Sequence, residues 1–169
     1  MSDSAKPGIS KPRFYDGDDY QLDNSIGYLM RQIVGTISTL TEERMAEHGL
    51  TDAQWKPLLM IQQGRCKTAA ELARVVCSDT GAITRMLDRV EAKGLVQRSR
   101  SQEDRRVVNL ELTADGCRAA AVVPHVLADV LNSVLIGFSE AEVLALKGML
   151  QRILDNAVQL RESDAAGQG

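Results

Sequence analysis

The chain is poor in the residues that build metal centres and catalytic sites. Among 169 residues it has two histidines, His48 and His125, and three cysteines, Cys66, Cys77 and Cys117. No CxxC or Cys/His metal spacing is present, and two histidines are too few to complete a zinc site with these thiols. No metal or other cofactor is therefore expected. Neither a glycine-rich phosphate loop nor a Gly-x-Ser-x-Gly elbow occurs, and most Ser and Thr fall where helices need caps. The expectation is that the protein is not an enzyme. A signal peptide and an apolar run of transmembrane length are both missing. An odd cysteine count without a secretion signal fits reduced thiols, so a cytoplasmic protein with no membrane partner is expected. Internal repeats are absent, and the length suits one domain with a sizeable core.

What is present is concentrated between Thr68 and Gly116. Thr68-Ala-Ala-Glu71 reads as a capping box, and Leu72, Val75 and Val76 follow at helical spacing. Cys77-Ser-Asp-Thr-Gly81 breaks that helix and offers caps for the next one. Ile83, Met86, Leu87 and Val90 then mark the buried face of a second helix, with Thr84, Arg85, Asp88 and Arg89 on the other face. Gly94 stands where a C-terminal glycine belongs. Leu95 to Arg98 and Val107 to Leu112 have strand character, separated by the polar loop Ser99 to Arg106. Helix, turn, helix and basic-tipped hairpin is the plan of a winged helix-turn-helix, whose second helix can enter a DNA major groove.

Charge supports that plan by its placement. The chain carries a net charge of −3, yet Arg65 to Leu112 holds ten Lys/Arg against seven Asp/Glu. Taken singly, each arginine reads as solvated surface. Together, Arg85, Arg89, Arg98, Arg100, Arg105 and Arg106 fall on one helix face and one adjoining loop, where they could neutralise phosphates. Ser78, Thr80, Ala82 and Thr84 complete the expected DNA-facing set.

The run Gly81-Ala-Ile-Thr-Arg-Met-Leu-Asp-Arg89, Glu91-Ala-Lys-Gly-Leu-Val96, Asp104-Arg-Arg106 and Leu110-Glu-Leu-Thr-Ala-Asp-Gly116 resembles the signature of MarR-type regulators. The resemblance covers residues 20 to 160, roughly. It implies a dimeric transcription factor that binds double-stranded DNA. It also implies an Asp-x-Arg wing motif at Asp104 and Arg106, with Arg106 reaching the minor groove and Asp79 placed to pair with it.

The fold expected is mainly α with a small β-hairpin wing, a winged helix-turn-helix flanked by N- and C-terminal dimerisation helices. Residues 1–18 read as a flexible arm, 19–49 and 113–160 as the dimerisation region, 50–112 as the DNA-binding domain and 161–169 as a disordered tail. In the first helical pattern, Asp19 to Glu47, Leu22, Ile26, Leu29, Ile33, Ile37 and Leu40 share a face. Gly27 and Gly35 there cost ~1 kcal/mol each relative to Ala and suggest close packing. Thr51-Asp-Ala-Gln54 opens a helix with Pro57 near its first turn. Thr113 caps a long apolar helix to about Ile136, in which Pro124 should kink or break the helix. Ser139-Glu-Ala-Glu142 opens the last helix. The apolar residues from Val122 to Ile136 exceed one face, so a second subunit is the simplest cover. A twofold dimer would place two recognition helices roughly 34–36 Å apart, matching a palindromic operator.

Four of the six aromatic residues lie between Arg13 and Arg31. With Trp55 they could wall a pocket, or simply pack the dimer core. The MarR resemblance implies a small aromatic carboxylate or phenolic effector, held by Tyr15, Ser25, Tyr28, Arg31 and Trp55, with Arg31 gripping the carboxylate. The reading is thus a repressor released from a palindromic operator by such a ligand. Two alternatives stand beside it. One is a cysteine-based redox regulator of the same fold, with Cys77 at the turn into the recognition helix. The other is a winged-helix module that contacts only proteins.

Overall fold

The structure, a computed structural model, describes residues 13–76, 80–100 and 106–166. Two compact units emerge, residues 1–38 and 39–169. A 3-10 turn, Leu22–Asn24, precedes six helices and one hairpin among these residues. The helices are α1 (Ile26–Glu47), α2 (Asp52–Gln62), α3 (Ala69–Val76), α4 (Thr80–Ala92), α5 (Ala114–Val134) and α6 (Glu140–Ala166). Strands β1 (Val96–Arg100) and β2 (Val108–Leu112) lie between α4 and α5 and pair antiparallel, Val96 opposite Leu112 and Arg100 opposite Val108. The winged helix-turn-helix order is as expected, and no described helix is long and apolar enough to cross a membrane.

In the first unit, the helix read from Asp19 starts seven residues later. Ser25 is extended, with φ −86° and ψ 142°, and ends the 3-10 turn. Its hydroxyl accepts the Tyr28 N–H at 3.2 Å, so Ser25 is the N-cap of α1. The Ile26 N–H, which α1 itself cannot satisfy, donates to the Tyr15 hydroxyl at 3.0 Å. The Tyr15 and Tyr20 rings meet at 5.9 Å, tilted by 55°. Periodicity carried the sequence reading across Ser25, because Leu22 falls in phase with Ile26 by coincidence of a tight turn. Within this chain nothing lies within 4 Å of a Cβ placed at Gly27 or Gly35, so neither glycine serves a close contact here.

The second unit is built around Met45, Leu58, Leu72, Val90, Val96 and Val123, all fully buried. Each helix start is fixed locally. Thr51 and Gln54 form a capping box on α2, with the Thr51 N–H donating to Gln54 Oε1 at 3.1 Å. Thr68 and Glu71 do the same on α3, each backbone N–H donating to the other's side chain at 3.2 Å. Ser139 and Glu142 repeat the arrangement on α6. Pro57 sits in the second turn of α2, deeper than expected, and is buried. Pro124 is exposed, and α5 runs through it unbroken, with Val123, Val126 and Val130 buried on one side. On α3, Leu72 is buried but Val75 faces outward. Lys67 and Thr68 add a short third edge to the hairpin, through the Leu110 N–H to Lys67 carbonyl bond at 2.9 Å and a bridge from Thr68 to Asn109.

The end of α4 is tied to three other helices. Gly94 has φ +70°, and the Leu95 N–H returns to the Val90 carbonyl at 3.0 Å, closing the helix in a left-handed turn. Lys93 Nζ donates to the Gly49 carbonyl at 3.0 Å and to Gln54 Oε1 at 3.1 Å, joining the end of α1 and the start of α2. The Thr113 hydroxyl donates to the Gly94 carbonyl at 2.5 Å and accepts the Gly116 N–H at 3.0 Å, while the Thr113 N–H donates to the Leu95 carbonyl at 3.1 Å. A Cβ on Gly116 would stand 1.8 Å from the Leu95 oxygen. The Leu-Thr-x-x-Gly run is therefore a clasp, in which threonine caps α5 and glycine leaves room for a passing carbonyl.

Several apolar side chains find no cover among the described residues. On α6, Leu144 is 69% exposed, and Met149, Ile153, Leu154 and Val158 are also exposed. Ile33 and Val34 on α1 and Leu131 and Val134 on α5 are likewise open. Residues from Glu162, read from sequence as a fraying tail, continue α6 to Ala166.

The clasp makes a sharp prediction. Gly116→Ala should destabilise the fold by at least ~2 kcal/mol, since rigid backbone must move to admit a methyl group. Gly148→Ala, in α6 with no neighbour within 4 Å, should be neutral or stabilising by up to ~1 kcal/mol. Urea unfolding of the two variants measures both; equal midpoints would refute the clasp.

Candidate nucleic-acid interface

The α4 helix presents two different faces. Ile83, Leu87 and Val90 are buried against the second unit's core. Thr84, Arg85, Asp88 and Arg89 are exposed, as the 3.6-residue period requires. Ala82 is half-buried at the start of this face. Arg85 and Arg89 make no ion pair among the described residues.

Beside α4 the hairpin carries Arg98, Arg100 and Arg106. Arg100 ends β1 and Arg106 precedes β2; both are exposed. The strand extends two residues further than the sequence suggested, through Ser99 and Arg100, which places Arg100 on a strand rather than in the loop. A concave groove of about 690 Å³ lies between α3, α4 and β2. Its walls include Ile83, Leu87 and Val108, with Thr84, Arg74 and Arg106 at its polar parts and Glu71 as a carboxylate. It brings together Thr84, Arg98 and Arg106 from the expected DNA-facing set. Of the others, Ser78, Asp79, Asp104 and Arg105 lie outside the described residues, as does Cys77, and of Thr80 only its place as the first residue of α4 is described.

Arg98 differs from its neighbours. Its Nε donates to Glu91 Oε2 at 2.8 Å, its terminal nitrogen also reaches Glu91, and the same nitrogen lies 2.8 Å from Asp88 Oδ1. The Arg98 backbone N–H donates to Glu91 Oε1 at 3.3 Å. The hydrogen bond from Arg98 holds the Glu91 carboxyl below the usual carboxylate range, and Glu91, then Asp88, keeps the guanidinium more firmly protonated than usual. At the opposite end of the groove, backbone N–H donors from Lys67 and Thr68 hold Glu71 below the usual range. Sequence reasoning missed the Arg98 arrangement, although the seven-residue spacing from Glu91, across the Gly94 turn, was visible.

The residues read as an effector site are placed differently. The Tyr15 and Ser25 hydroxyls cap α1, and the Tyr28 hydroxyl accepts from Gln32 Nε2 at 3.1 Å. Trp55 belongs to the second unit's core with Leu58 and Leu59, its ring 5.5 Å from the Lys56 ammonium. Arg31 is exposed. A cleft of about 260 Å³ does lie along Phe14, Tyr15 and Tyr20, but its charged lining is Asp16 and Asp19. Those carboxylates would repel an acid, and no cation lines this cleft among the described residues.

Of the cysteines, Cys66 is buried in the core, where loss of water and the nearby Glu71 charge push its thiol up, away from reactivity. Cys117 is exposed on α5. No group of three potential metal ligands occurs among the described residues.

A polar, cation-bearing helix face beside a basic hairpin, on a helical core, defines a winged helix-turn-helix of the DNA-binding kind. Residues 50–108 match the model of the MarR family. The multiple antibiotic resistance protein MarR of Escherichia coli is 32% identical over 130 residues, 76% of this chain and 90% of that protein. Its Salmonella typhimurium counterpart is 31% identical over 132 residues, with the same coverage. A mutant MarR from E. coli solved in complex with operator DNA superposes with a TM-score of 0.70 at 31% identity, covering 80% of this chain and 99% of that one. BpsR of Bordetella bronchiseptica, at 23% identity and a TM-score of 0.68, shares the fold. The chain belongs to the MarR family of DNA-binding transcriptional regulators, which are not enzymes.

The Glu71 cap predicts a pH dependence. Its folded value is depressed, so the stabilisation is fully present above the unfolded glutamate value, ~4.3, and is lost as pH falls through the lower folded value. Urea midpoints from pH 3 to 7 should show wild type losing its advantage over Glu71→Gln below about pH 4. A constant gap across that range would refute the charged cap.

Proposed function

We propose that two copies of this chain form a repressor that binds a palindromic operator, and that a small aromatic carboxylate or phenol releases it. The observation that carries the DNA part is the outward face of α4, where Arg85 and Arg89 stand exposed next to Arg100 and Arg106 on the hairpin. Ala82, Thr84, Arg85 and Arg89 would approach base edges, joined by Thr80, the first residue of the same helix, and by Ser78. Arg100, Arg105 and Arg106 would meet phosphates or the minor groove, with Asp79 and Asp104 steadying the wing. The open apolar faces of α1, α5 and α6 support the dimer, because residues such as Leu144, Ile33 and Val134 have no cover among the described residues.

For the effector, the groove between α3, α4 and β2 suits an aromatic acid better than the N-terminal segment does. It offers apolar walls and two arginines, Arg74 and Arg106, against the single carboxylate of Glu71, whereas the described charged lining of the cleft at Tyr15 and Tyr20 is Asp16 and Asp19. A ligand in the groove would also lie against the DNA-facing helix, so binding it and binding DNA would oppose each other through one site. That is the differential affinity a release mechanism needs.

Fluorescence anisotropy with a labelled duplex selected from random DNA tests both parts. Arg106→Ala should weaken binding by about 10- to 100-fold and reduce the salt slope by about one, with the dimer unchanged by sedimentation. Unchanged affinity would remove Arg106 from the interface. With a panel of aromatic acids, Arg74→Ala should lose the response while Arg31→Ala retains it; the reverse result would return the effector to the N-terminal segment.

A further inference from the structure

Arg98 was expected to touch DNA, yet its guanidinium is committed to two carboxylates of the recognition helix, Asp88 and Glu91. Its side chain is 28% exposed, against 55% for Asp88 and 37% for Glu91, so the arginine is the least exposed of the three. We propose that Asp88, Glu91 and Arg98 form a brace that sets the angle of the wing to the recognition helix, making Arg98 and Glu91 positioning residues for operator binding.

The geometry supplies the reason. The hairpin leaves α4 through Gly94, a single left-handed glycine, and β1 begins at Val96. Thr113 holds the Gly94 and Leu95 carbonyls, which fixes the base of β1 but not the angle of the strand beyond Val96. A second tether farther along β1 removes that freedom. Arg98 provides it, since both its guanidinium and its backbone N–H bond to Glu91. Side chain and main chain of one strand residue are thus held by one helix residue, which constrains rotation as well as distance. Asp88, one helical turn earlier, holds the guanidinium from a second direction.

Charge argues the same way. Two carboxylates and one guanidinium leave this patch negative beside a surface meant for phosphates. Attraction alone would favour losing an acid here. Retaining both is expected if their task is to hold Arg98.

This inference rests on the DNA-binding reading, and the test separates the two. Wild type, Glu91→Gln, Arg98→Ala and the double variant are titrated by anisotropy onto a fluorescein-labelled duplex selected with wild type, over a range of salt. Amide exchange along β1 and β2 is followed in the free proteins. Each single variant should bind about tenfold more weakly, and the double variant no more weakly than the worse single, as coupled partners behave. The slope of log K against log salt should stay constant, and the Arg98 amide should exchange faster in Glu91→Gln. Tighter binding by Glu91→Gln would overturn the brace, because it would mean the acid only repels DNA. A slope reduced by ~0.9 in Arg98→Ala would do so too, since that is the signature of a lost phosphate contact. Should wild type select no duplex, the DNA reading fails, and the exchange data decide the brace alone: an unchanged Arg98 amide in Glu91→Gln overturns it.

Discussion

The short run Lys93-Gly94-Leu95 is where the recognition helix is anchored. The Lys93 ammonium is shared between the last carbonyl turn of α1 and the capping glutamine of α2. The next two carbonyls, of Gly94 and Leu95, meet the first turn of α5 through Thr113. Three helix termini with unsatisfied backbone groups are thereby tied to a fourth. The exposed side of α4 contributes little to this packing and is free to be polar, because the helix is held by its end and by Ile83, Leu87 and Val90 beneath it.

Much of this was legible in the sequence, for a local reason. Capping boxes, a glycine at a helix end and apolar residues at helical spacing all record interactions within a few residues, so Thr51–Gln54, Thr68–Glu71, Ser139–Glu142 and Gly94 could be read directly. The family signature located the Leu-Thr-x-x-Gly clasp without explaining it; the explanation needs the Leu95 carbonyl, which is distant in sequence from Gly116. The break at Ser25 was hidden because a tight turn kept Leu22 in phase with α1. Pro124 misled in the other direction, as an exposed proline on a helix packed along its opposite side removes one hydrogen bond without ending the helix.

The interface was legible as a set of charges and less so as an arrangement. Counting arginines placed Arg98 with Arg85, Arg89 and Arg106. Coordinates separate them, since Arg98 faces Glu91 and Asp88 while Arg85 and Arg89 face outward. The aromatic cluster near the N-terminus shows a similar difference between composition and arrangement. Composition showed rings and hydroxyls but not that Tyr15 and Ser25 spend their oxygens on the start of α1. Polar side chains near helix ends are poor evidence for a ligand until the backbone groups around them are accounted for.

The α6 helix runs from a self-contained capping box through Ala166 with nearly every side chain open to solvent. Its winding therefore depends on local bonds and not on a neighbour in the same chain. A second copy would meet a surface already ordered, and the entropy of arranging that surface would fall on folding instead of on association. Subunit exchange would then be limited by separating two finished surfaces rather than by unravelling either one, so mixed dimers of two related chains could form without either losing its DNA-binding fold.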